Sequence, residues 1–79
     1  MALDENRIDD AVLALLYLTS VEDRGSCRAW KSHPWDALDR LHEKGLISNP
    51  RSKAKSVALS EEAVRRSEEL ATELFGQRA

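Results

Sequence analysis

The chain has 79 residues, enough for one small domain whose core covers only about 60% of the surface that the unfolded chain exposes. That size excludes a large buried catalytic cavity, and 42% hydrophobic with 33% charged residues excludes a disordered or fibrous chain. The formal net charge of -2 gives no global basicity, so a nucleic-acid role would depend on a local patch.

Localisation is predicted from segments that the sequence lacks. The longest apolar run covers residues 11–18, far short of the roughly 20 residues that span a bilayer, and the acidic N-terminus lacks the basic segment of a signal peptide. The single cysteine, Cys27, cannot form an internal disulfide, which fits a reducing compartment. With no linker or repeat in the sequence, we predict one cytoplasmic domain over residues 1–79 without membrane contact.

The first predicted element is a helix over residues 6–20. Asp4 or Asn6 can cap it, and acidic residues near its start complement the helix dipole. After this helix, residues 22–26 are typical of a turn or loop, and residues 27–31 of a short strand. The helix over residues 6–20 is predicted to be the central core helix because these residues have helical spacing: Ile8, Val12, Leu13, Leu15, Leu16, Leu18 and Thr19.

A second helix is predicted to begin at Pro34, which suits a first turn because its missing N–H would be unpaired there. Ser32 or His33 can serve as the N-cap, and Gly45 is the left-handed residue that ends the helix. The pattern predicts a buried stripe of Trp35, Leu38 and Leu41 and an outward face of Asp36, Asp39, Arg40, Glu43 and Lys44.

A β-hairpin is predicted after the second helix. Ile47 begins an extended segment that Asn49 and Pro50 interrupt, since proline cannot donate a ladder hydrogen bond. Residues 51–55 form a polar tip, and residues 57–59 alternate as the return strand.

A third helix is predicted from Glu61 to Phe75. Ser60 is its N-cap, and Gly76 ends the amphipathic pattern. The predicted order is therefore helix, short strand, helix, β-hairpin, helix, which gives an α+β fold class.

Residues 41–47, Leu-His-Glu-Lys-Gly-Leu-Ile, end a helix before the hairpin, and residues 57–62, Val-Ala-Leu-Ser-Glu-Glu, open the next helix. This succession resembles the wing region of bacterial winged-helix regulators. The resemblance implies a small winged-helix-like domain whose second helix faces double-stranded DNA and whose hairpin is the wing. Over residues 13–19, 28–31 and 35–47 the chain is also similar to a family of small bacterial proteins of unknown function.

The hairpin tip holds the concentrated positive charge of the sequence. Arg51, Lys53 and Lys55 stand there without an intervening acid and are predicted to contact nucleic-acid phosphates. The resemblance adds Arg40 and Lys44 from the second helix. The alternative for the tip is a solvated turn whose charges discourage edge pairing.

Trp30 and Trp35 are the candidate partner-binding residues. In so small a domain tryptophans favour core or lid positions, but the neighbouring Arg28 and Lys31 leave open a base-stacking platform or a hot spot for a partner. The first functional hypothesis is a small bacterial nucleic-acid-associated or transcription-regulatory protein that contacts phosphates through its basic wing. The second is a non-catalytic adaptor that binds a basic protein partner with the acidic face of the second helix.

No catalytic or metal constellation is found in the sequence. Cys27, His33 and His42 match no zinc template, and Asp9 with Asp10 points to different faces of one helix. A phosphate-binding glycine loop is missing. We therefore predict a protein that is not an enzyme and has no cofactor or metal, and that forms a homodimer through the long apolar stripes of the first and third helices.

Overall fold

The computed structural model describes residues 2–23 and 25–77. Three helices and a three-stranded antiparallel sheet form a small α+β fold with a winged-helix-like arrangement, which confirms the predicted fold class. Within the described residues, none of the helices has the length and apolarity needed to cross a membrane. The elements in chain order are α1 (Glu5–Leu18), β1 (Val21–Asp23), β2 (Ser26–Trp30), α2 (Trp35–Glu43), β3 (Ser56–Leu59) and α3 (Glu61–Phe75).

The helix ends largely follow the predicted capping chemistry. The carboxylate of Asp4 accepts hydrogen bonds from the first turn of α1, and the hydroxyl of Ser60 accepts one from the backbone N–H of Ala63 in α3. The N-cap of α2 is Pro34, so the prediction of Ser32 or His33 at that position is wrong. Pro34 has no side-chain acceptor, and α2 accordingly begins without a side-chain cap.

The sheet differs from the prediction in its first half. Residues 21–30 hold a hairpin of two strands, where the sequence predicts a loop and one strand. The central strand is β2, which pairs with β1 on one side and with β3 on the other. Val21 lies opposite Arg28, and Trp30 lies opposite Ser56.

The predicted wing is reduced to its return strand. Its first arm consists of a single bridge between Ile47 and Leu59, after which residues 49–55 form a loop. Pro50 has no N–H to give to a ladder, and the side chain of Asn49 accepts the backbone N–H of Arg51 instead. The chain therefore leaves the sheet at this point.

One hydrophobic core lies between the helices and one face of the sheet. Leu13 and Leu16 of α1, Leu38 and Leu41 of α2, and Val57 of β3 are fully buried within it. The predicted stripes are too wide, because Leu15 and Leu18 are exposed on α1. Trp35 is also wrongly predicted as buried: it is the first residue of α2, is 49% exposed and lies beside Lys31 and Arg51.

Candidate nucleic-acid interface

The basic loop, residues 49–55, has a defined conformation. The Oδ1 atom of Asn49 accepts the backbone N–H of Arg51 at 2.9 Å, and the carbonyl oxygen of Asn49 accepts the backbone N–H of Ser52 at 3.3 Å. This is the local turn chemistry that an Asn-Pro pair favours. Pro50 itself is buried, so the loop packs against the body of the protein at its beginning.

Lys31 ties the basic loop to the end of β2. Its Nζ atom donates hydrogen bonds to the carbonyl oxygens of Pro50 and Ser52, both at 2.7 Å. Its backbone N–H donates to the carbonyl oxygen of Lys55 at 3.3 Å. One lysine thus holds both the entry and the exit of the loop, which reduces the conformational entropy that a ligand would have to remove.

Arg51, a predicted phosphate contact, is engaged by α2. Its Nη2 and Nε atoms donate to the two carboxylate oxygens of Asp39, at 2.8 and 3.2 Å. The guanidinium carbon also lies 5.2 Å from the ring centre of Trp35. The hydrogen bond from Arg51 lowers the pKa of Asp39, so the carboxylate stays charged and neutralises the guanidinium.

Lys53 and Lys55, the other predicted phosphate contacts, are exposed on the basic loop. Among the described side chains, neither lysine has a carboxylate within ion-pair distance. Their ammonium groups are therefore available to an external anion.

Arg40 and Lys44 lie in a different environment, a charge cluster between α1 and α2. Arg40 donates from Nε to both carboxylate oxygens of Asp9 at 2.9 Å, and from Nη1 to Glu5 at 2.9 Å. Lys44 donates from Nζ to Asp9 at 3.0 Å. The prediction of Arg40 on the outward face of α2 is wrong, since only a quarter of its side chain is exposed.

Asp9 at the centre of this cluster is the most deeply buried charge of the described residues, with 1% of its side chain exposed. Burial alone would raise the pKa of its carboxyl group, but the hydrogen bonds and charges of Arg40 and Lys44 outweigh this effect, so the pKa is lowered. Asp9 is therefore an anion that joins two helices. From its place near the start of α1, Asp9 is predicted only to complement the helix dipole.

The two tryptophans occupy different places. Trp35 contacts the basic loop, and the Nζ atom of Lys31 lies 5.8 Å from its ring centre. Trp30 lies on the face of the sheet opposite the helices and is 63% exposed. It borders a shallow depression of about 200 Å³, lined by Val21, Arg28, Ala29, Trp30, Lys55 and Ser56.

Comparisons with known proteins give a family without an assigned activity. The model of the domain of unknown function DUF6429 matches residues 4–77. The uncharacterized protein y4hR of Sinorhizobium fredii (strain NBRC 101917 / NGR234) is 56% identical over 75 residues, which cover 95% of this chain and 97% of that protein. No solved structure matches.

Proposed function

We propose that this chain, which belongs to the DUF6429 family of unknown function, is a small nucleic-acid-associated protein of regulatory type. The proposal is based on the chemistry of its surface. In this proposal the basic loop contacts phosphates. The protein acts by binding and carries out no catalysis.

The observation that supports the proposal is the exposure of Lys53 and Lys55 on a loop that Lys31 holds in place. A cation with no internal partner can neutralise a phosphate and release its condensed counterion. Since the loop is already ordered, little further ordering is needed on binding.

The proposal assigns a smaller role to the other predicted cations. Arg40 and Lys44 are bonded to Asp9, and a phosphate would have to compete with a buried carboxylate for them. Arg51 would have to leave Asp39. With two fully available lysines, we expect weak and salt-sensitive binding with little sequence specificity.

The test is a titration of labelled 20-nucleotide DNA, both single-stranded and duplex, from about 50 to 200 mM salt. Wild-type protein is compared with the double variant Lys53→Ala and Lys55→Ala. We expect the log–log slope of affinity against salt to become shallower by about 1.5, because each phosphate contact contributes about 0.7 to 0.9.

A matched control removes two positive charges elsewhere. Arg7 on α1 and Arg65 on α3 are both exposed, so the double variant Arg7→Ala and Arg65→Ala changes net charge equally and should keep the wild-type slope. Equal losses in both double variants, or no binding to either DNA at the lowest salt, would refute the proposal.

A second candidate is an adaptor for a basic protein partner, favoured by the acidic exposed side of α2. Asp36 and Glu43 are exposed there, and Trp35 lies at the start of the same helix. Purification from the native host with wild type beside the variant Asp36→Asn and Glu43→Gln would test it. A basic partner retained only by wild type is the expected result.

We also propose that the protein forms a homodimer through α1 and α3. Leu74 and Phe75 at the end of α3 are half exposed, as is Leu18 at the end of α1. Exposed apolar side chains on the two helices give a homodimer an apolar contact surface. Sedimentation at micromolar concentration should then show twice the mass of 8.9 kDa, and a single 8.9 kDa species would disprove the dimer.

A further inference from the structure

The outer face of the sheet, the face turned away from the helices, is open. Side chains that alternate along β2 and β3 divide between the two faces. Ala29, Val57 and Leu59 point inward and belong to the core. Val21, Trp30 and Ser56 have the opposite orientation, and the first two are more than half exposed.

Trp30 is the most prominent side chain on this outer face. It stands opposite Ser56, so a residue with a small side chain lies beside the indole ring. The depression of about 200 Å³ lies next to the ring. An exposed indole beside an open recess can accept a flat aromatic group against its face.

Cations lie along the same recess. Arg28 is in its lining, and its guanidinium is oriented by hydrogen bonds from Nε to the hydroxyl oxygen of Ser56 at 2.9 Å and from Nη2 to the carbonyl oxygen of Ser56 at 3.1 Å. Lys55 also lines the recess, and Lys53 is exposed two residues before it on the same loop. A flat aromatic ring next to several cations complements a nucleotide, which has a base and a phosphate.

We propose that the outer face around Trp30 binds single-stranded nucleic acid, with a base stacked on the indole and the neighbouring phosphates against Arg28, Lys53 and Lys55. This inference rests on the proposed function and specifies its ligand. A duplex presents only the edges of its paired bases, whereas an unpaired base presents the ring face that stacking requires. The expected preference is therefore for single strands.

Trp35 provides the internal comparison. It is also half exposed, but Lys31 and Arg51 already lie over its ring at 5.8 and 5.2 Å, and Asp39 neutralises Arg51. A base would have to displace these groups from Trp35. Stacking is thus assigned to Trp30 alone.

The experiment follows the fluorescence of Trp30 in a Trp35→Phe variant, so that one indole reports. The probes are a 12-nucleotide oligothymidylate, a 12-nucleotide oligouridylate and a 12-base-pair DNA duplex, at about 50 mM salt. We expect quenching by both single strands and none by the duplex. Comparison of the DNA and RNA strands shows which of the two sources of the ligand is preferred.

Affinity measurements with labelled strands test the role of the ring. Trp30→Ala should weaken binding of the single strand by roughly 5- to 150-fold, the range for loss of one stacked base. Trp30→Phe should retain most of the affinity because a ring remains. Trp35→Ala is the matched control and should change the affinity far less. Since Trp30 is exposed, its variants should keep the wild-type circular dichroism and melting temperature.

The outcomes separate this inference from the proposed function. If duplex and single strands bind equally, with a salt slope that depends on Lys53 and Lys55 but no change in Trp30 fluorescence, the base-stacking site is disproved while the phosphate-binding loop stands. If Trp35→Ala costs more affinity than Trp30→Ala, the stacking site is also disproved. If no probe binds, both proposals fail together.

Discussion

Two basic regions of this protein contain the same residue types in opposite situations. In the charge cluster, Arg40 and Lys44 surround the buried carboxylate of Asp9 and join α2 to α1. On the basic loop, which Lys31 holds by hydrogen bonds, Lys53 and Lys55 are exposed to solvent. A carboxylate partner is present in one region, and among the described side chains it is missing for both lysines of the other.

The difference shows that the position of a cation in the sequence does not give its role. Removing Asp9 from water is unfavourable unless several donors compensate, and Arg40 with Lys44 supplies them. Arg40 and Lys44 therefore stabilise the fold. Lys53 and Lys55 have no ion pair with a described carboxylate, so they do not stabilise the fold in this way.

The largest expected effect in either region follows from Asp9→Asn. The substitution leaves Arg40 and Lys44 beside a neutral amide, and we expect the free energy of unfolding to fall by about 3 kcal/mol. The lower part of the usual range for a broken buried pair applies because both cations can turn partly toward solvent. Urea denaturation at pH 7 measures the change.

The same variant has a predicted pH signature. Because the folded protein lowers the pKa of Asp9, this carboxylate contributes stability above its unfolded pKa of about 3.9, and the contribution is lost as the pH falls through the lower folded value. Asp9→Asn should flatten that acid limb. Asp10→Asn is the control, because Asp10 is a third exposed and pairs with Arg66 at 3.4 Å, and it should cost less than about 1 kcal/mol. Equal losses from the two substitutions would contradict the special role of Asp9.

Local signals in the sequence were sufficient to predict most of the fold. Asp4 and Ser60 as caps and Gly45 as the helix end depend on neighbouring residues alone, and all three were predicted correctly. The β1–β2 hairpin was missed because it depends on hydrogen bonds between two strands and not on a local signal. Its outer face is also exposed, so the alternation of apolar and polar residues along the strands is weak. The interruption of the wing at Asn49 and Pro50 was predicted, but the first arm before it is only a single bridge at Ile47 and not a strand.

The candidate site was less predictable. Exposure of Lys53 and Lys55 follows from their place in a polar turn, but the bond between Arg51 and Asp39 spans two elements and depends on how the loop folds back. Asp9 did carry a usable signal: it stands four residues before Leu13 and seven before Leu16, on the buried face of α1. A carboxylate there predicts a buried cationic partner, although the spacing does not say which one.

Gly45 links the two regions, and its substitution should have an intermediate effect. It directly follows Lys44, the C-cap residue of α2, and has a φ of 76°; a Cβ atom there would meet no heavy atom within 4 Å. Gly45→Ala should therefore cost only the backbone strain, about 1 to 2 kcal/mol, measured by thermal or urea unfolding. Gly45→Asn should cost less, because asparagine tolerates the left-handed conformation. A loss in the Asn variant as large as that in the Ala variant would mean that the side chain clashes.

The smallest expected effect comes from converting a cation that is paired with a carboxylate, Arg51, into one that is not. Asp39→Asn removes the carboxylate that holds Arg51, so the guanidinium becomes available beside Lys53 and Lys55. Affinity for single-stranded DNA at about 50 mM salt should rise a few-fold, and the salt slope should steepen by about 0.7, the contribution of one further phosphate contact to a single strand. Asp36→Asn removes the same charge from α2 and leaves the bond between Arg51 and Asp39 in place, so its slope should match that of wild type. Steepening in both variants would show that the general field of α2, and not the release of Arg51, governs binding.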